Sequence, residues 1–162
     1  HINISEIPIV EEGLGTRPFD AEGVKTYSKQ IISDGVLDTY LLDTYSAKQL
    51  NLKSTANSGY SNIQIRSSKP MSENLTESID SGVLITEMMG SGANLLTGDY
   101  SRGAFGYLIE NGKISHPVTN FTIASNMLDM FKNIDEVGSD FYGNSKINCG
   151  SVLIKDMTIG GN

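Results

Sequence analysis

Two dipeptides, Asp34-Gly35 and Asn111-Gly112, do most to limit what this chain can become. Each interrupts a pair of β-rich runs. Residues 24–32 lead into the first and 36–42 lead out; residues 104–110 and 113–118 flank the second. A two-residue hairpin turn that follows the twist of its strands needs positive φ at both central positions. Asp, Asn and Gly accept that conformation at least cost. The spacing predicts two antiparallel hairpins.

The remaining runs fit around them. Residues 2–10 alternate loosely and read as one or two short strands, and residues 62–66 as another. Ser46 can cap a helical turn over Ala47-Lys48-Gln49-Leu50. Residues 51–61, polar and glycine-bearing, read as a mobile loop. Pro70 blocks continuation of the strand before it, and Ser72 is placed to cap a short helix to about Ile79. Val83-Leu84-Ile85-Thr86-Glu87-Met88-Met89 is almost unbroken in its apolar character, the pattern of a central strand. Met127, Leu128, Phe131 and Ile134 fall at helical spacing, predicting an amphipathic helix from Ser125 or Asn126 to about Asp135. Residues 151–159 close the chain as a strand. Hairpins with a few short helices imply an α+β fold with mainly antiparallel sheet. With 162 residues, the chain is expected to form a single domain.

Charge and composition exclude several functions. The net charge of −7, without a lysine or arginine run, gives no means of neutralising phosphates, so no direct nucleic-acid contact is expected. The same charge disfavours an anionic membrane surface, and no apolar run reaches the length of a membrane span. Cys149 is the only cysteine, which rules out an intrachain disulfide and suits a reducing, cytoplasmic setting. His1 in place of methionine suggests a piece of a longer or processed chain, and leaves room for a catalytic residue upstream. His1 and His116 form no zinc-binding pair, and Cys149 has no neighbouring base, so all three read as packed or surface residues. Gly90, Gly92 and Gly98 do not make a phosphate loop, because a strand rather than a helix follows them.

The residues with most chemical content lie between Gly98 and Gly103: Asp99, Tyr100, Ser101 and Arg102. An acid, a phenol, a hydroxyl and a guanidinium stand on what reads as one short loop. Two readings are open. Asp99 and Ser101 can bond their own turn, with Arg102 pairing Asp99 or capping a loop carbonyl. Alternatively the loop can hold an extended peptide or a partner chain, with Arg102 and backbone groups as donors. Neither makes any of the four catalytic.

The run Thr97-Gly98-Asp99-Tyr100-Ser101-Arg102-Gly103-Ala104, followed by Glu110-Asn111-Gly112-Lys113-Ile114 and Pro117-Val118, resembles the C-terminal region of the PmbA (TldE) branch of the TldD/PmbA family, historically called modulators of DNA gyrase. Pro18-Phe19-Asp20-Ala21-Glu22-Gly23-Val24, Ile31-Ile32-Ser33-Asp34-Gly35-Val36-Leu37, Tyr45-Ser46-Ala47-Lys48 and Cys149-Gly150-Ser151-Val152-Leu153 agree in order, so the likeness spans nearly the whole chain. The resemblance implies that residues 1–162 are the C-terminal domain of a PmbA-like subunit. It implies a zinc metallopeptidase system acting on unfolded, extended peptides, in which the TldD partner carries a His-Glu-x-x-x-His motif and the zinc. This chain would hold no metal or other cofactor and would not cut peptide by itself. Its partner would be a TldD-like subunit or a second copy. A protein-interaction module without substrate contact is the alternative.

Overall fold

The computed structural model describes residues 1–69, 74–141 and 145–161; the expectations placed on Pro70 and Ser72 lie outside them. In chain order the elements are β1 (Ile2–Ile7), β2 (Lys29–Ser33), β3 (Val36–Leu37), α1 (Thr44–Gln49), β4 (Asn62–Ser67), a 3-10 turn (Leu75–Ser78), β5 (Ser81–Met89), β6 (Asp99–Glu110), β7 (Lys113–Asn126), α2 (Met127–Lys132), β8 (Ile134–Val137), β9 (Ile147–Asn148), β10 (Val152–Ile154) and β11 (Thr158–Gly160). The fold is α+β and mostly antiparallel, as the hairpin pattern predicts. Two compact units share the chain: His1–Met71 with Ser139–Ser151, and Ser72–Gly138 with Val152–Asn162.

The first unit is a five-stranded sheet in the order β3-β2-β1-β4-β9. Its pairings are antiparallel except β4 with β9, where Ile63 lies opposite Ile147 in parallel register. Asp34 and Gly35 have φ of 46° and 84°, the doubly left-handed turn the dipeptide predicts. The outgoing arm is shorter than expected. The Asp38 and Thr39 amides both donate to the Ile31 carbonyl, and the Ser33 hydroxyl bonds the Asp38 carboxylate, so the chain leaves the sheet after Leu37. Residues 24–28 stay outside the sheet, apart from a bridge between Phe19 and Lys25. Helix α1 is capped one turn earlier than expected. Asp43, not Ser46, is the N-cap, accepting from the Ser46 amide at 2.7 Å.

The polar segment 51–61 is bonded into the first unit from Ser54 onward, while Asn51, Leu52 and Lys53 are exposed. Ala56 and Ser61 are fully buried. The physical cause is a buried ion pair, Lys29 Nζ to Glu6 Oε2 at 3.0 Å, both side chains being nearly inaccessible. Lys29 also donates to the Thr55 carbonyl and to Asn57 Oδ1. Glu6 accepts from Asn57 Nδ2 at 2.7 Å, from the Ser61 amide at 2.6 Å and from the Ser61 hydroxyl at 2.7 Å. A buried charge persists only when paired and hydrogen-bonded, and here the loop supplies the bonds. The polar groups of Thr55, Asn57 and Ser61 serve the interior, while Asn51 and Lys53 face solvent.

The second unit holds a four-stranded antiparallel sheet, β11-β7-β6-β5, and a separate two-stranded pair, β10-β8. Asn111 and Gly112 have φ of 49° and 75°, closing the second hairpin as predicted. Its arms run further than expected and absorb residues 99–103 and 119–126. Ala104, Phe121 and Ile123 form the buried core, with Val83, Ile85, Tyr100, Val118 and Met157 against it. The apolar run β5 is not central. It lies at the sheet edge and none of its residues is buried. Helix α2 stops at Lys132, and Ile134 belongs to β8, so the expected amphipathic helix is only half as long. The closing strand is split into β10 and β11, with Asp156 at φ 57° between them. Among the described residues no helix is long and apolar enough to cross a membrane.

Candidate functional site

The expected polar loop is the beginning of a strand. Asp99, Tyr100, Ser101 and Arg102 open β6 and pair with Asn126, Ser125, Ala124 and Ile123 of β7. Successive side chains of a strand point to opposite faces. Asp99 and Ser101 are accordingly exposed, while Tyr100 and Arg102 are half-buried. The four therefore do not converge as one cluster.

Their bonds stay within this end of the sheet. Asp99 accepts from the Thr97 hydroxyl at 2.6 Å. The Tyr100 hydroxyl donates to Met88 Sδ at 3.3 Å. The Ser101 amide donates to the Gly92 carbonyl at 2.8 Å. Arg102 donates from Nε to the Met89 carbonyl at 3.3 Å and from Nη2 to the Met88 carbonyl at 3.2 Å. Arg102 thus caps carbonyls at the end of β5, the local alternative in the sequence reading. Gly92 is required at its position: a Cβ there would lie 1.8 Å from the Ser101 carbonyl oxygen.

The segment between β5 and β6 is pinned with equal care. Asn94 Oδ1 accepts from the Leu96 and Thr97 amides, and the Gly98 amide donates to the Asn94 carbonyl. Asn126 caps α2 by accepting from the Leu128 amide, and its Nδ2 donates to the Thr97 carbonyl. The Met127 amide donates to the Gly98 carbonyl at 2.7 Å. This framework holds apolar side chains in solvent. Leu95 is 86% exposed, Leu96 98%, Leu128 67% and Phe131 68%, with Met88 and Met89 at 44% and 45% on the adjoining strand end. Sequence reasoning missed this surface because it read Leu128 and Phe131 as the apolar face of an amphipathic helix. The available signal was Leu95-Leu96, an apolar pair inside a stretch otherwise built for turns.

Metal donors do not assemble here. Among the described residues no three His, Cys, Asp or Glu side chains converge on a point that could hold an ion. The His116 ring shares a hydrogen bond with the neighbouring Ser115 hydroxyl at 3.2 Å. Cys149 is partly buried; burial pushes its thiol up, against the pull of Arg66 and with a further push from Asp140. A zinc ligand would be a thiolate. The described residues do not fit a zinc site.

The architecture defines a mainly antiparallel α+β fold in two units, the second with exposed apolar side chains at one end. A family model described as "PmbA/TldA metallopeptidase C-terminal domain" matches residues 1–161. The chain belongs to this PmbA/TldD metalloprotease family. It is 45% identical over 161 residues to "Metalloprotease PmbA" of Escherichia coli O157:H7, covering 99% of this chain and 36% of that protein. The "putative modulator of DNA gyrase" of Bacteroides thetaiotaomicron superposes with a TM-score of 0.91 at 31% identity, covering 99% of this chain and 37% of that one. TldE of Thermococcus kodakarensis has the same fold, with a TM-score of 0.83 at 23% identity, over 99% of this chain and 40% of that chain. The chain spans little more than a third of the length of these relatives.

Proposed function

We propose that residues 1–162 are the C-terminal domain of a PmbA-type subunit that pairs with a TldD-like subunit and helps hold an extended, unfolded peptide for a zinc site in that partner. Both compact units together make up this domain. The chain brings no metal and does not cut peptide alone. The carrying observation is the edge of the second unit's sheet. Strand β5 is nine residues long and, among the described residues, pairs with β6 alone. The other outer strands of the two larger sheets, β3, β9 and β11, have two, two and three residues. Short edges protect against pairing; β5 is long and free of proline, and the stretch ahead of its bulge between Ile85 and Glu87 can accept another strand, while Arg102 occupies the carbonyls of Met88 and Met89 beyond it. Main-chain bonds to such an edge bind extended peptide with little regard to its sequence.

The test uses the full-length subunit, a TldD-type subunit and an unfolded peptide. Turnover is expected only from the mixture, with zinc recovered from the TldD-type chain. Hydrolysis by the PmbA-type chain alone, or one zinc per chain with Cys149 as a ligand, overturns the reading.

A second reading is a pure interaction module. It is favoured by Arg102 and Asp99 being engaged by their own sheet and loop, which leaves them structural. Under it, Arg102→Ala weakens assembly but leaves KM for peptide unchanged once the complex forms. Under the first reading KM rises as well.

A further inference from the structure

We infer that Asn111 is a latent modification site: attack by the Gly112 main-chain nitrogen converts its side-chain amide to aspartate and isoaspartate, and the docking of the hairpin tip on Ile79 and Asp80 holds that reaction off. The inference is independent of the pairing and peptide reading above, because every group it uses lies within the second unit.

The chemistry is that of the dipeptide itself. Glycine puts no side chain beside the attacking nitrogen, so Asn-Gly closes on itself with the least hindrance. The nitrogen gives its proton to solvent and bonds to Asn111 Cγ. The Cγ–Nδ2 bond breaks, and ammonia leaves with a proton returned by solvent, so a five-membered imide remains. Water then adds to either ring carbonyl and breaks its bond to the nitrogen. One opening gives aspartate. The other gives isoaspartate, whose main chain runs through Cγ. One water is consumed, one ammonia is released, and nothing is oxidised or reduced.

Three features of the tip oppose the first step. Asn111 has φ of 49°, in the left-handed region centred on a ψ of about +47°. There the Gly112 nitrogen stands across the Cα–C bond from Cβ, whereas ring closure needs the two eclipsed. The Gly112 amide donates to the Ile79 carbonyl at 2.9 Å, so the proton that must leave is engaged. The Asn111 amide donates to the Asp80 carbonyl at 2.7 Å, and rotation at this residue breaks that bond too. The accepting segment is itself fixed. The Ile79 amide donates to the Thr76 carbonyl, and Asn74 Oδ1 accepts from the Thr76 amide and hydroxyl.

The fold cannot exchange the dipeptide for a less reactive one. Gly112 has φ of 75°, and a Cβ there would lie 3.0 Å from the Glu77 carbonyl oxygen. The first hairpin is built alike but is safer. Its Asp34 amide donates to Asn3 Oδ1 and its Gly35 amide to the Ile2 carbonyl. The Asp34 carboxylate also accepts from the Ser68 hydroxyl at 2.7 Å, and an ionised carboxylate resists attack where an amide does not. At Asn111 the change is lasting. Isoaspartate lengthens a two-residue turn whose two amides must both meet fixed carbonyls, so a tip that has opened and reacted cannot dock again.

The test ages the full-length subunit in mildly alkaline buffer, folded and in urea that unfolds it. Peptide mapping by mass spectrometry reads conversion at Asn111, and amide hydrogen exchange reads the docking of Gly112. Conversion is expected to be at least about tenfold faster in the unfolded protein, the factor that two engaged amides supply. Asn74→Ala, which removes the cap of the 3-10 turn, and a series of low urea concentrations loosen the tip by degrees. Across all of them conversion is expected to rise in proportion to Gly112 exchange. Equal rates in folded and unfolded protein overturn the inference, as does no conversion in urea. Exchange that rises without conversion also overturns it. Asn111→Gln, whose longer side chain disfavours the ring, is expected to stay intact throughout; conversion there refutes the mechanism. The separated isoaspartate form is expected to keep fast exchange at Gly112 after refolding, and wild-type protection there overturns the claim of a lasting change.

Discussion

Replacing Lys29 by methionine tests whether the buried ion pair holds the first unit together. The substitution keeps the volume of the side chain but leaves Glu6 ionised and inaccessible. Glu6 retains the Asn57 and Ser61 donors at 2.6–2.7 Å, so part of its charge remains solvated by the protein. The Thr55 carbonyl and Asn57 Oδ1 lose their donor at the same time. Breaking one side of a buried pair costs about 3–5 kcal/mol. For a chain of this length that corresponds to a fall of roughly 10–15 °C in the melting midpoint. Glu6→Gln should cost about as much, because an amide places a donor against Lys29 and Asn57, or against Ser61 if it rotates. The double variant removes both the charge and the clash with Lys29. It is expected to be more stable than the sum of the single effects implies, by about 2 kcal/mol. Urea denaturation followed by circular dichroism measures all three. A loss under about 1 kcal/mol for Lys29→Met, or additivity within about 0.5 kcal/mol in the double variant, refutes the argument.

Other outcomes follow from the same structure. Burial pushes the Glu6 carboxyl up, but the donors from Asn57, Ser61 and Lys29 outweigh it and hold the group below its ordinary range. A lowered carboxyl stabilises the fold fully above the unfolded value, about pH 4.3, and that share is lost as pH falls through the folded value; acid titration of Glu6→Gln should show a shallower loss there than wild type. Gly106→Ala would put a Cβ 1.9 Å from the Leu84 carbonyl oxygen, and should cost about 2–3 kcal/mol in a thermal melt as β5 and β6 are forced apart. Asn126→Ala removes the α2 cap and the bond to Thr97, so a loss of about 1–2 kcal/mol is expected, with faster hydrogen exchange at Met127 and Leu128. Burial keeps the Cys149 thiol protonated, so alkylation near neutral pH should be slower than for a free cysteine; an equal rate counts against the packing described.

Turn chemistry was the most legible part of this chain. Asp34-Gly35 and Asn111-Gly112 declare themselves because the backbone conformation they need is local. Longer-range facts were harder to read. Residues 99–102 look like a loop when only their glycine neighbours are considered, yet their conformation is set by pairing with residues 123–126, which no local window contains. The apolar run of β5 signals burial without saying by what, so an uncovered edge reads as a sheet centre. Leu128 and Phe131 carry the same ambiguity at helical spacing. The segment 51–61 misled for the opposite reason: its polar groups match a buried charge pair whose members sit at positions 6 and 29. For Asp99, Tyr100, Ser101 and Arg102, the division between two faces of a strand was not legible from their own spacing.

The assignment of chain segments to the two units has a consequence for synthesis on the ribosome. His1–Met71 cannot complete its sheet when it emerges, because β9 is supplied by Ser139–Ser151. The intervening stretch makes the whole β5-β6-β7 ladder first. Domains generally fold as units, the N-terminal one first, during translation. Here the nascent chain must carry an unfinished margin on β4 until residue 147 clears the exit tunnel, and the last strand of the second sheet arrives later still. Neither unit can be released by a single cut, and a stalled or truncated product ending before Ile147 would leave β4 open to whatever extended chain it meets first.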